Sequence, residues 1–84
     1  MIWNKVGFVL SSKQRNEVFQ LIQQFNDIDQ IELKVRITSF NGVKRILKDF
    51  EKEGLVKIEG NKVKLTKLGE EVKQKLPKRL TEKL

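Results

Sequence analysis

The chain has 84 residues, enough for one hydrophobic core but not two, and a domain of this size buries only about 60% of its unfolded surface. Eighteen Lys and Arg against eleven Asp and Glu leave a formal net charge of +7, which favours a polyanionic partner: nucleic acid, an anionic membrane surface or an acidic protein. Cys and His are both absent, which excludes zinc fingers, disulfide frameworks, thiol chemistry and imidazole acid–base catalysis, and leaves a binding module that needs no cofactor.

The stretch from Ile2 to Leu10 is apolar without a decisive period, so it reads either as a short helix or as a strand beside the hairpin further along. Its run Val6 to Leu10 is far short of the roughly 18 residues of a membrane span, and a soluble, cytoplasmic protein is expected. The clearest helix begins at Ser11-Ser12. Ser11 followed by Gln14 fits a capping box, and Val18, Leu21, Ile22 and Phe25 recur at helical spacing as a core stripe. Residues 28–37 conflict: Ile31, Leu33, Val35 and Ile37 alternate as a strand would, whereas Ile28, Ile31 and Val35 share a helical face.

A second strong helix is expected from about Ser39 to Glu53, with Thr38 or Ser39 as N-cap and Gly54 as the stop. Phe40, Val43, Ile46, Leu47 and Phe50 form its core face, and Asn41, Lys44, Arg45, Lys48 and Lys52 its opposite face. Two alternating runs then flank Gly60-Asn61, a two-residue hairpin signal with glycine at the first central position. The register that follows sets Glu59 opposite Lys62, Ile58 opposite Val63, Lys57 opposite Lys64 and Val56 opposite Leu65. A last helix starts after Thr66, carries Leu68, Val72 and Leu76 inward, and is ended or kinked by Pro77. Leu76, Leu80 and Leu84 continue at four-residue spacing, so residues 78–84 read as a basic tail or a helix extension behind a domain spanning residues 1–77.

The basic excess is uneven: residues 1–37 carry a net +1 and residues 38–84 a net +6. An α-helix fits the major groove and its N-terminal side chains reach base edges first, so Asn41 and Arg45 are candidates for direct readout, of adenine and guanine respectively. Lys44, Lys48 and Lys52 are better suited to phosphates, although any solvated helix shows such residues, and Asp49 or Glu51 could pair with them locally. Lys57 opposite Lys64, with Lys62 at the tip, is repulsive in the free protein and makes sense where phosphates neutralise it; edge lysines also block strand aggregation. Gly42 would admit a close backbone approach to DNA or to the preceding helix, or would merely occupy the first turn. No P-loop or dinucleotide fingerprint is present, the acidic residues form no spaced pair in a Gly-rich context, and neither an enzyme activity nor a small-molecule ligand is expected.

The order helix, ambiguous segment, helix, tight hairpin, helix is that of a winged helix-turn-helix domain. SFNGVKRILKDFEKEGLVKIEG from Ser39 to Gly60 resembles the recognition helix and first wing strand of winged-helix transcription regulators, and LTKLGEEV from Leu65 to Val72 resembles their wing exit and closing helix. GFVLSSKQRNEVFQLI from Gly7 to Ile22 resembles the opening of small archaeal regulators of this class; together the three stretches cover a little over half of the chain. The departure is DIDQIELKVRIT, from Asp27 to Thr38, which lacks the usual turn glycine; the topology favours helix over strand for Ile28 to Val35.

The resemblance implies an α+β, mostly α fold with a three-helix core, a β-hairpin wing and a C-terminal helix. It also implies double-stranded DNA as partner, with helix 39–53 in the major groove and wing 55–66 on the backbone or minor groove. In related small regulators the N-terminal segment and last helix form a two-fold interface, which makes Trp3, Leu76, Leu80 and Leu84 candidates for a homodimer contact, while Phe8 and Phe19 are read as core. A homodimeric transcriptional repressor is the expected function, repression following from a chain with no room for a second effector domain. A winged-helix protein-interaction module and a nonspecific architectural DNA-binding protein are the alternatives.

Overall fold

The computed structural model describes residues 2–76. They form, in chain order, α1 (Ile2–Leu10), α2 (Lys13–Ile22), α3 (Ile28–Lys34), α4 (Phe40–Lys52), β1 (Val56–Glu59), β2 (Lys62–Leu65) and α5 (Lys67–Lys75). The fold is α+β and mostly helical, with β1 and β2 pairing as a two-stranded antiparallel hairpin.

The ambiguous N-terminal stretch is a helix. It packs mainly against α5 and then α2, and is not a strand beside the hairpin. Its buried residues are Val6 and Val9, with Phe8 partly buried edge-on to Phe50 at 6.1 Å between ring centroids. Because α1 runs on to Leu10, Ser11 donates its hydroxyl to the Phe8 carbonyl, and the cap of α2 falls to Ser12, whose Oγ accepts from the Arg15 N–H at 3.3 Å. The capping position is therefore one residue later than the Ser11–Gln14 spacing predicts.

Residues 28–34 resolve their conflict as helix. Ile31 is buried and Ile28 and Val35 are half-buried, whereas Leu33 is 76% exposed and Ile37 54%; the alternating set does not share a face. Helix α4 begins after Ser39, whose Oγ accepts the Gly42 N–H at 3.0 Å, and Gly54 ends it with φ +78°, a left-handed conformation that glycine adopts without strain. Thr66 caps α5 by accepting the Gly69 N–H at 3.1 Å, and it donates its own hydroxyl to the Gly54 carbonyl at 2.5 Å, so one side chain joins the end of α4 to the start of α5.

The core is one cluster centred on Phe19 and Phe50, which meet edge to face at 5.7 Å, with Ile31, Leu47, Leu55, Val63 and Val72 around them. Gly69 is required by this packing: a Cβ there would stand 2.1 Å from the Leu55 carbonyl oxygen, so α5 lies against the backbone leading into β1. The hairpin register is the expected one, Val56 to Leu65, Lys57 to Lys64, Ile58 to Val63 and Glu59 to Lys62. Gly60 has φ +60° and Asn61 does not have a positive φ, which fits a type II′ turn and not type I′.

Candidate nucleic-acid interface

The start of α4 is positioned from α2. The Glu17 carboxylate accepts the backbone N–H groups of Arg36 at 2.7 Å, Ile37 at 3.1 Å and Thr38 at 2.9 Å, and so gathers the whole α3–α4 turn. Burial pushes the Glu17 carboxyl up, but the backbone donors of Arg36, Thr38 and Ile37, with the Thr38 hydroxyl, outweigh it and hold the group below the ordinary carboxylate range. Thr38 is itself buried, and its hydroxyl also lies 3.3 Å from the Gln14 carbonyl. Gly42 serves this local construction: a Cβ would come within 2.9 Å of the Ser39 Oγ that caps the helix, so its close approach is to the cap.

Val43, Ile46, Leu47 and Phe50 bury one face of α4. At 100° per residue, Asn41, Arg45, Lys48 and Lys52 fall in a narrow stripe opposite it with Lys44 on the flank, and all five are exposed. Phe40 is a correction to the sequence reading. It is the first residue of the helix, lies at the margin of the apolar stripe and is 60% exposed. Among the described residues the ion pairs are Lys5–Glu53, Lys62–Asp27 and Lys73–Glu70, so no cation of the α4 stripe is neutralised by Asp49 or Glu51. Glu51 instead accepts the Ile58 N–H at 3.3 Å and ties α4 to β1.

Lys57 and Lys64 face one another across the hairpin, both exposed and both without an ion pair among the described residues. Lys62 differs: its ammonium lies 3.4 Å from the Asp27 carboxylate, which also receives the Asn61 side-chain amide. Two backbone bonds complete this clasp, Ile28 N–H to the Asn61 carbonyl and Val63 N–H to the Asn26 carbonyl, each 2.9 Å. The hairpin tip is thereby fastened to the entry of α3. Asp27 occupies the N-cap position of α3 but makes no cap bond there, its carboxylate being committed to the hairpin.

The consequence is an open groove of about 280 Å³ bordered by Lys44, Leu47 and Lys48 of α4, Ile58, Gly60 and Asn61 of the hairpin, and Ile28 and Asp29 of α3. The flank of the α4 cationic face and the hairpin turn thus share one concavity, with Asp29 as its single carboxylate.

The residues expected at a dimer contact separate. Trp3 is 61% exposed with the Lys75 ammonium 5.7 Å from its ring centre, Leu76 is 6% exposed and spent on the chain's own core, and Leu80 and Leu84 lie outside the described residues. Glu17 and Asp27 were not legible as organising residues, since a lone carboxylate on a polar stretch carries no mark of the backbone donors folding brings to it. Among the described residues no helix is long and apolar enough to cross a membrane, and no three of His, Cys, Asp or Glu group as metal ligands. Comparison with protein families, curated proteins and solved structures finds no match.

Proposed function

We propose that the protein is a sequence-specific double-stranded DNA-binding regulator of the winged-helix kind, acting as a homodimeric repressor that occludes its promoter. The observation that carries this reading is the α4 stripe: four cations and Asn41, exposed and without ion pairs among the described residues, beside a groove shared with a lysine-bearing hairpin. A helix of about 10–12 Å diameter fits a major groove about 12 Å wide. In that pose Asn41 and Arg45 address base edges, bidentate to adenine and guanine, while Lys44, Lys48 and Lys52 address phosphates. Lys57 and Lys64 of the hairpin add backbone contacts beside the groove, their mutual repulsion relieved when phosphates lie between them, while Lys62 joins them only when it leaves Asp27. The exposed Trp3 on α1 supports a second copy docking on the side of α1 and α5.

The test is selection of bound duplexes from a random pool at two salt concentrations. A consensus of two inverted half-sites about one helical turn apart is expected. With the five unpaired lysines of each protomer on phosphates, log K should fall against log salt with a slope of about −4 to −5 per half-site, or about −9 for the dimer. No consensus, together with unchanged binding by Arg45→Ala, overturns the proposal.

A further inference from the structure

We infer that Phe40 is a base-reading residue, its ring taking the C5-methyl group of a thymine on the major-groove edge. The inference deepens the proposed DNA-binding function and rests on it. Phe40 is the first residue of α4, between the Ser39 cap and Asn41, and it is 60% exposed while Phe19 and Phe50 are fully buried. Single exposed apolar side chains are ordinary on any surface. This one is not single, because Ile37, three residues earlier in the turn, is 54% exposed. The two stand at the end of α4 that enters a major groove first.

Charge selects the occupant. The apolar pair is followed along the same helix by Lys44, Arg45, Lys48 and Lys52, none in an ion pair among the described residues, so a matching surface must be strongly anionic and carry an apolar spot within it. The major groove of duplex DNA has that composition, and the thymine methyl is its apolar feature. The geometry is also rigid. Glu17 holds the N–H groups of Arg36, Ile37 and Thr38, and Ser39 caps the helix that begins at Phe40, so the ring is presented from a fixed backbone.

The experiment uses the full chain and a duplex chosen by selection, with its thymines replaced one at a time by uracil, which removes only the methyl group. Wild type should lose about fourfold in affinity at one or two positions, the equivalent of one buried methyl. Phe40→Ala should bind the thymine duplex several-fold more weakly and be indifferent to uracil at those positions, with Phe40→Leu retaining part of the preference. Thermal melting of each variant controls for folding, and the uracil scan of wild type needs no variant at all. If wild type ignores every uracil, or Phe40→Ala keeps the same uracil penalty, the inference is overturned while the regulator reading stands. It is likewise overturned if Phe40→Ala leaves DNA binding intact but changes the oligomeric state on gel filtration, which would assign the ring to a protein contact. If no duplex is selected, the proposed function fails first and takes this inference with it.

Discussion

The Glu17 carboxylate in α2 receives the backbone N–H of Thr38, 21 residues away, at 2.9 Å. With the Arg36 and Ile37 donors on the same group, this places a charged acceptor under the turn that launches α4. Glu17→Gln keeps one acceptor oxygen and turns an N–H₂ toward donors, and because these bonds are partly exposed the loss should be about 1 kcal/mol in thermal melting. The sign with pH follows from a folded-state pKa held below the unfolded one: the carboxylate's contribution is complete above the unfolded value of about 4.3 and is lost as pH falls through the folded value. The stability gap between wild type and Glu17→Gln should therefore narrow in acid below about pH 4. A gap that stays constant with pH would deny Glu17 this role.

Arg45 and Lys64 should separate readout from charge. Arg45→Ala should cost about 1–3 kcal/mol on the selected duplex and less on random DNA, lowering the specificity ratio. Lys64→Ala should weaken both alike and make the salt slope shallower by about 0.9 per protomer, or about 1.8 for the dimer. Fluorescence anisotropy at three or more salt concentrations measures both, and equal losses for the two variants on both duplexes would count against a base-contacting Arg45.

Asp27 restrains the hairpin tip through Asn61 and Lys62. In Asp27→Asn the amide oxygen still accepts from Asn61, whereas the Lys62 ammonium is released. Folding stability should fall by less than about 1 kcal/mol, as for other exposed pairs. DNA affinity at low salt should rise, and the salt slope should steepen by up to about 0.9 per protomer. A slope identical to wild type would mean that Lys62 does not reach phosphate.

Two glycines should respond to alanine with opposite signs. At Gly69 the new Cβ would meet the Leu55 carbonyl oxygen at 2.1 Å and Leu65 Cδ2 at 3.0 Å, and backbone cannot step aside as a side chain would. Gly69→Ala should destabilise by about 3 kcal/mol as α5 is pushed off β1. At Gly7, inside α1, a Cβ meets nothing within 4 Å, so Gly7→Ala should stabilise by about 0.5–1 kcal/mol through helix propensity. Urea unfolding of the pair checks both.

Elements that close their hydrogen bonds among near neighbours were legible from residue types alone. The β1–β2 register follows from alternation around Gly60-Asn61, the span of α4 from its apolar spacing and Gly54, and the start of α5 from Thr66, because turn, cap and periodicity all act within a few residues. Phe40 shows the limit: spacing placed it on the apolar side, but it stands at the stripe's margin on the first residue of the helix and stays 60% exposed.

Tertiary structure alone decided the rest. Residues 2–10 had no period to separate helix from strand; docking on α5 settles them as helix, while Asn26, Asp27 and Ile28 take the backbone bonds at the hairpin. Glu17 and Asp27 acquire their roles from partners 19–21 and 34–35 residues away, a separation at which no local pattern records which donors a carboxylate will meet. Residue identity thus determined α2, α4, α5, the hairpin and the surplus of positive charge, because those depend on neighbours along the chain; the conformation of α1 and α3, which cations share a groove, and which one is held back by Asp27, depend on neighbours in space.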